Sequence, residues 1–165
     1  MPEKETLERA NKAKRKGKAP SSQAGEFVRE EMHHIRRGKH GARSTKQAIA
    51  IGLSKARRAG VRLRPPKRGR VSEKTRRSAE RAFAAGRRGK PKPSRPRSQA
   101  RERVLKREGR TAASRTQLAR QTRSAARRRT RAERRASARQ AVRTKGRAGR
   151  TAAARKAART RARYA

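Results

Sequence analysis

The chain has no cysteine, no tryptophan and no aspartate, and its 165 residues include only two phenylalanines and one tyrosine. The lack of Cys excludes disulfide scaffolds, thiol catalysis and Cys-ligated zinc. An aromatic content of 2% leaves few rings to stack bases as single-strand binders do, and few to seat a membrane-surface helix. No apolar run approaches transmembrane length, and the opening MPEKETLERANKAKRKGKAP lacks the apolar core of a signal peptide. The expectation is a cytosolic protein with no membrane partner. Catalysis is expected to be absent, because the Glu residues lie among cations and no Gly-rich phosphate loop with a Walker lysine occurs.

What the chain has is positive charge. It carries 55 Lys and Arg against 11 acids, a net +44, and most of its 30% hydrophobic content is alanine. Burial of Ala recovers little hydrophobic free energy, whereas each ordered residue costs roughly 1–2 kcal/mol of backbone entropy. The composition therefore predicts a mainly α and largely disordered chain, with a small two-helix hairpin head followed by a long basic, conditionally helical tail. Cations at this density repel one another unless a polyanion neutralises them, which points to nucleic acid as the partner. No cofactor is expected.

Residues 1–66 hold 18 Lys and Arg against six Glu, and residues 67–165 hold 37 against five. The bulky aliphatics share the first part with the acids. Four segments follow: a basic N-terminal arm (1–20), a helical hairpin head (21–64), a Pro/Gly/basic linker with a short helix (65–98), and an Arg/Ala-rich low-complexity tail (99–165). In the head, one helix is predicted from about Gln23 to Arg37 with Gly38 as its terminator. A second is predicted from Thr45 to Ala59, bracketed by a capping box of Ser44 with Gln47 and by Gly60. Their apolar stripes predict a core of Phe27, Met32, Ile35, Ile49 and Leu53, which also offers a self-association surface and hence a homodimer. In the linker, SEKTRRSAERAFAAG predicts a helix capped by Ser72 and ended by Gly86, with Ala79, Ala82 and Phe83 on one side. GKPKPSRP, residues 89–96, reads as an extended stretch near polyproline II.

Met32 to Val61, MHHIRRGKHGARSTKQAIAIGLSKARRAGV, resembles a family of small, uncharacterised bacterial basic proteins. The shared core appears here as Met32-His33, His40-Gly41, Gln47 to Ile51, Leu53-Ser54, Ala56-Arg57 and Ala59-Gly60. The resemblance implies a bacterial origin and a recurrent module, with no activity to carry over. The tail resembles bacterial histone H1-like proteins in its use of Ala, Arg, Lys, Ser and Thr. His33, His34 and His40 are close in sequence, but adjacent helical residues point about 100° apart, so no metal site is expected from them.

Phosphate contacts are expected from Arg68 and Arg70, in the AT-hook-like PKRGRV, and from Arg76 and Arg77. In the tail they are expected from Arg127, Arg128, Arg129, Arg131, Arg134, Arg135, Arg155, Lys156 and Arg159. The 37 cations beyond residue 66 match the charge on about 60 Å of duplex. GRTAAS at Gly109 to Ser114 recurs as GRTAAA at Gly149 to Ala154. The expected function is non-enzymatic, sequence-tolerant binding of nucleic acid in the bacterial cytoplasm and nucleoid, with duplex DNA preferred over RNA and with bridging or compaction of duplexes. The alternatives are an RNA- or ribosome-associated protein, or an adaptor whose head binds a protein.

Overall fold

A computed structural model describes residues 2–89 and 94–164, which fall into two compact units, Met1–Gln121 and Thr122–Ala165. The described residues form eight helical segments and no strand. They are α1 (Lys4–Arg15), α2 (Pro20–Arg36), α3 (Thr45–Arg58), α4 (Glu73–Arg87), α5 (Arg95–Arg107), a 3-10 turn (Thr111–Ala113), α6 (Arg115–Arg127) and α7 (Arg131–Tyr164). None of these helices is long and apolar enough to cross a membrane.

In the first unit α2 and α3 pack on each other, α1 packs on α2, and α4 packs on α3. Two apolar clusters fill the contacts. Phe27, Ala24, Ala10, Ala56 and Val61 form one, with Leu7 and Leu53 against it. Met32, Ile35, Ala42, Ala48, Ala112 and Ala113 form the other, with Val28, Ile49 and Leu118 against it. The anticipated core residues are thus divided: Phe27, Met32 and Ile35 are buried, whereas Ile49 and Leu53 sit partly covered on different clusters.

The expectation of a largely disordered chain with a two-helix head and a tail is overturned by this arrangement. The arm 1–20 contains a helix with Thr6, Ala10 and Ala13 buried, and the 3-10 turn of the supposed tail is built into the core. Alanine and glycine are the physical reason. Their small side chains recover little area each, but they let helices approach closely and pack densely. A Cβ on Gly52 would lie 2.7 Å from Val28 Cα, so glycine there is what lets α3 cross α2. Gly86 is in the same situation against the Arg57 carbonyl. It is a crossing point inside α4 and not a terminator; the left-handed residue beyond that helix is Gly89, with φ 86°.

Local signals hold where they were complete. Ser44 Oγ accepts the Gln47 N–H at 3.2 Å, while the Gln47 side chain accepts from Arg43 N–H at 2.9 Å. Gly60 follows α3 with φ 88°. α2 begins earlier than anticipated, at Pro20, a proline at the first helical position where its missing N–H costs nothing. Of the expected extended stretch 89–96, residues 90–93 lie outside the described residues, and Arg95 and Pro96 open α5.

The segment after α5 is secured by backbone. Gly41 N–H donates to Leu105 O at 2.8 Å and Ala42 N–H to Gly109 O at 3.0 Å. Thr45 Oγ1 donates to Ala112 O at 2.7 Å, and Arg36 Nε donates to Ala113 O at 2.9 Å. GRTAAS is therefore a docking segment. Its near-copy GRTAAA lies within α7, so the two occurrences share letters but not structure. Arg57, buried at 7% exposure, donates from Nε to Leu63 O at 3.1 Å and fastens the chain leaving α3. Burial pushes its guanidinium below the ordinary value.

In the second unit, none of the described side chains of α7 is buried. Its helices rest on local chemistry, chiefly on Ala and Arg, which are among the better helix formers. A capping box opens α7: Thr130 N–H donates to Glu133 Oε2 at 2.9 Å, and Glu133 N–H donates to Thr130 Oγ1 at 3.2 Å. Gly146 (φ 61°, ψ −175°) breaks the helix into two arms.

Candidate nucleic-acid interface

α7 carries 13 Lys and Arg and a single acid, and the acid, Glu133, serves the helix cap. Arg131, Arg135, Arg139 and Arg143 recur every fourth residue and line one open groove along the helix, with Ala132, Ala136 and Gln140 between them. At a rise of 1.5 Å per residue these guanidiniums are based about 6 Å apart along the axis. Two steps of a single duplex strand span about 6.8 Å. Beyond Gly146 the same interval recurs in Arg155, Arg159 and Arg163, all exposed. Alanine fills much of the intervening surface, so nothing bulky stands between the arginines and an approaching phosphate.

The other anticipated contacts are placed as follows. Arg127 ends α6, and Arg128 and Arg129 lie in the turn before α7, all three exposed. Arg134, Lys156 and Arg159 are exposed on α7. Arg68 and Arg70 flank Gly69, whose φ of 76° shapes a turn in which Arg70 N–H donates to Lys67 O at 3.3 Å. Arg76 lies between two carboxylates, bonding Glu73 from Nε at 2.9 Å and also contacting Glu80. The hydrogen bonds that Arg76 donates to Glu73 raise the Arg76 value and hold the Glu73 carboxyl below its own. Arg77 reaches Glu73 at 3.4 Å. These two arginines already have anions, whereas the α7 ladder displays its charge along an open groove. The fourfold interval was legible in the sequence and was missed, because the repetitive composition invited a reading as low complexity.

The first unit holds the opposite chemistry, a buried acidic nucleus on α2. Glu30 and Glu31 are 2% and 0% exposed. Lys55 Nζ, from α3, is 2.7 Å from Glu31 Oε2 and 3.3 Å from Glu30 Oε1. Glu30 Oε2 accepts the Glu3 N–H at 3.2 Å. Glu3 Oε1 in turn meets Lys39 Nζ at 2.7 Å and His34 Nε2 at 2.9 Å. The Lys39 hydrogen bond, with that of His34, holds the Glu3 carboxyl at about 2. His40 Nε2 lies 3.1 Å from Glu31 Oε1. Nothing in the sequence signals that the arm 1–20 closes this nucleus through Glu3.

Fold and surface together define an all-helical protein in which a small-residue core supports one unit and an arginine ladder is displayed on the other. Residues 19–68 match the model of a family of unknown function (DUF6496), consistent with the resemblance to an uncharacterised family. That match covers less than half of the chain. Neither the curated proteins nor the solved structures match this sequence.

Proposed function

We propose that the protein is a non-enzymatic, sequence-tolerant nucleic-acid-binding protein that takes duplex DNA in preference to duplex RNA and acts in the bacterial nucleoid. The observation that carries this reading is the ladder Arg131, Arg135, Arg139 and Arg143 on an exposed helix whose single acid caps its first turn. An α-helix of about 10–12 Å diameter fits the B-form major groove, which is about 12 Å wide; the narrow major groove of A-form RNA does not admit one. Sequence tolerance is read from arginines set at a phosphate-like interval with Ala132 and Ala136 between them, which leaves Gln140 as the one uncharged polar side chain lining the groove. Release of condensed counterions supplies the free energy, so affinity falls steeply with salt. The acids of the buried nucleus are engaged by Lys39 and Lys55 of their own unit.

The test is fluorescence anisotropy on the full chain, titrated with salt against a DNA duplex and an RNA duplex of the same sequence, and against a second DNA sequence. DNA is expected to bind more tightly at every salt, with a steep log–log slope and little difference between the two DNA sequences. Tighter RNA binding throughout would move the assignment to an RNA-associated protein. A flat salt dependence would leave the adaptor reading, in which the first unit holds a protein. Sedimentation of the free chain reports whether bridging of duplexes can proceed through a dimer.

A further inference from the structure

Glu31 and His34, three residues apart on α2, and His40, in the α2–α3 loop, form a cluster in which His40 Nε2 meets Glu31 and His34 Nε2 is hydrogen-bonded to Glu3 Oε1 at 2.9 Å. One ligand atom of each lies within 4.8 Å of the other two. The ring of His40 is oriented by the backbone, because Nδ1 lies 3.0 Å from the Gly41 carbonyl oxygen. A carbonyl only accepts, so Nδ1 carries the hydrogen and Nε2 of the neutral ring presents a lone pair. That lone pair meets Glu31 Oε1 at 3.1 Å. The Glu31 side chain is fully buried, and while Lys55 Nζ holds Oε2 at 2.7 Å, Oε1 accepts no hydrogen bond of good geometry. An imidazole nitrogen and a carboxylate oxygen at this spacing suit two ligands of one ion: donors bound at 2.0–2.1 Å to a tetrahedral centre stand about 3.3 Å apart.

The charge balance agrees. Around this point Glu3, Glu30 and Glu31 are matched by the ammonium groups of Lys39 and Lys55. That is three carboxylates against two ammonium groups, in a chain of net +44. Lys55 takes the opposite oxygen of Glu31, Oε2, and shares itself with Glu30, which leaves Oε1 for a second cation.

We propose that Glu31, His34 and His40 form a binding site for a divalent transition-metal ion of the zinc class. Two imidazoles and one carboxylate suit such an ion and not a hard cation that demands oxygen ligands. Closing the widest ligand separation, at most 4.8 Å, to tetrahedral spacing takes a side-chain shift of about 1.5 Å. The ion ties the last turn of α2 to the loop that leads into α3, a structural role independent of the nucleic-acid surface. His33 stands outside the triad. The divergence of His33 and His34 is real, but it is His40, brought back by the Gly38–Gly41 loop, that supplies the second nitrogen.

The probe is Co2+, added to the EDTA-treated full-length chain near neutral pH, with Zn2+ competition and thermal melts in parallel. A visible ligand-field band saturating at one equivalent is expected, displaced by Zn2+, with a higher Tm in Zn2+ and no effect of Mg2+. His34→Ala, His40→Ala and Glu31→Gln should each weaken binding by at least about tenfold, that is about 1.4 kcal/mol, and His33→Ala should not. The wild-type titration decides even if a variant fails to fold. Absence of a saturable band, binding that survives His40→Ala, or equal loss in His33→Ala overturns the site. Stabilisation by mild acid with no response to metal does so too, since the missing positive charge would then be a proton on His40.

Discussion

Gly52 sets two effects against each other. In a helix interior, alanine in place of glycine gains about 1 kcal/mol of propensity. At this position the new methyl group would press on the Val28 backbone, 2.7 Å from its Cα, and overpacking against backbone costs about 1–3 kcal/mol. Packing wins, so Gly52→Ala should lower the Tm and the urea midpoint together. Glu3 makes a second point at this scale. Its carboxyl falls from an ordinary 4.5 to about 2, chiefly through Lys39 and then His34. A carboxyl depressed by folding stabilises fully above its unfolded value and loses that contribution as pH falls toward the folded one. Glu3→Gln should therefore lower the Tm at neutral pH, and the difference from wild type should shrink between about pH 4.5 and 2. Neither effect was legible beforehand. The sequence displays Gly52 as a weak point in a helix and Glu3 as one acid in a basic arm, because the contacts that decide both come from elsewhere in the chain.

Among the elements, the 3-10 turn shows how a segment that looks unstructured becomes part of a core. Its two alanines are buried, at 4% and 0% exposure, and its carbonyls take donors from α2 and from the start of α3. Thr45→Val keeps the shape of the side chain but leaves the buried Ala112 carbonyl without its donor, at a cost of about 1–2 kcal/mol. Amide exchange at Gly41 and Ala42, which bond the same segment, should accelerate with it. On α7 the test is charge: Arg131, Arg135, Arg139 and Arg143 replaced together by Gln should reduce the salt slope of DNA binding by about 3–4, at 0.9 per phosphate contact, while far-UV helicity stays. Sequence patterns served best for α3 and α4, where cap and amphipathic stripe agree. They served least for α1 and for the segment 105–114, whose buried positions are Ala and Thr and give no hydrophobic contrast to read.

At the scale of the molecule, overall composition merges two units of unlike chemistry into a single average. Acids of the first part enter buried pairs such as Glu31–Lys55 and half-buried pairs such as Arg9–Glu26. The cations beyond Gln121, 17 against one acid, keep their charge on display. A mean over the chain sees only the excess, and for that reason the basic character was legible while the folded core was not.

That core is assembled largely from alanine, with Phe27 and Ile35 its largest fully buried apolar side chains. Heat capacity and denaturant sensitivity of unfolding both scale with the surface newly exposed to water, and an alanine core exposes little per residue. The chain should accordingly show an unfolding ΔCp below the usual range of about 12–15 cal/mol/K per residue, measurable by calorimetry. Its stability would then vary gently with temperature, a tolerance arising from having little apolar surface to hide.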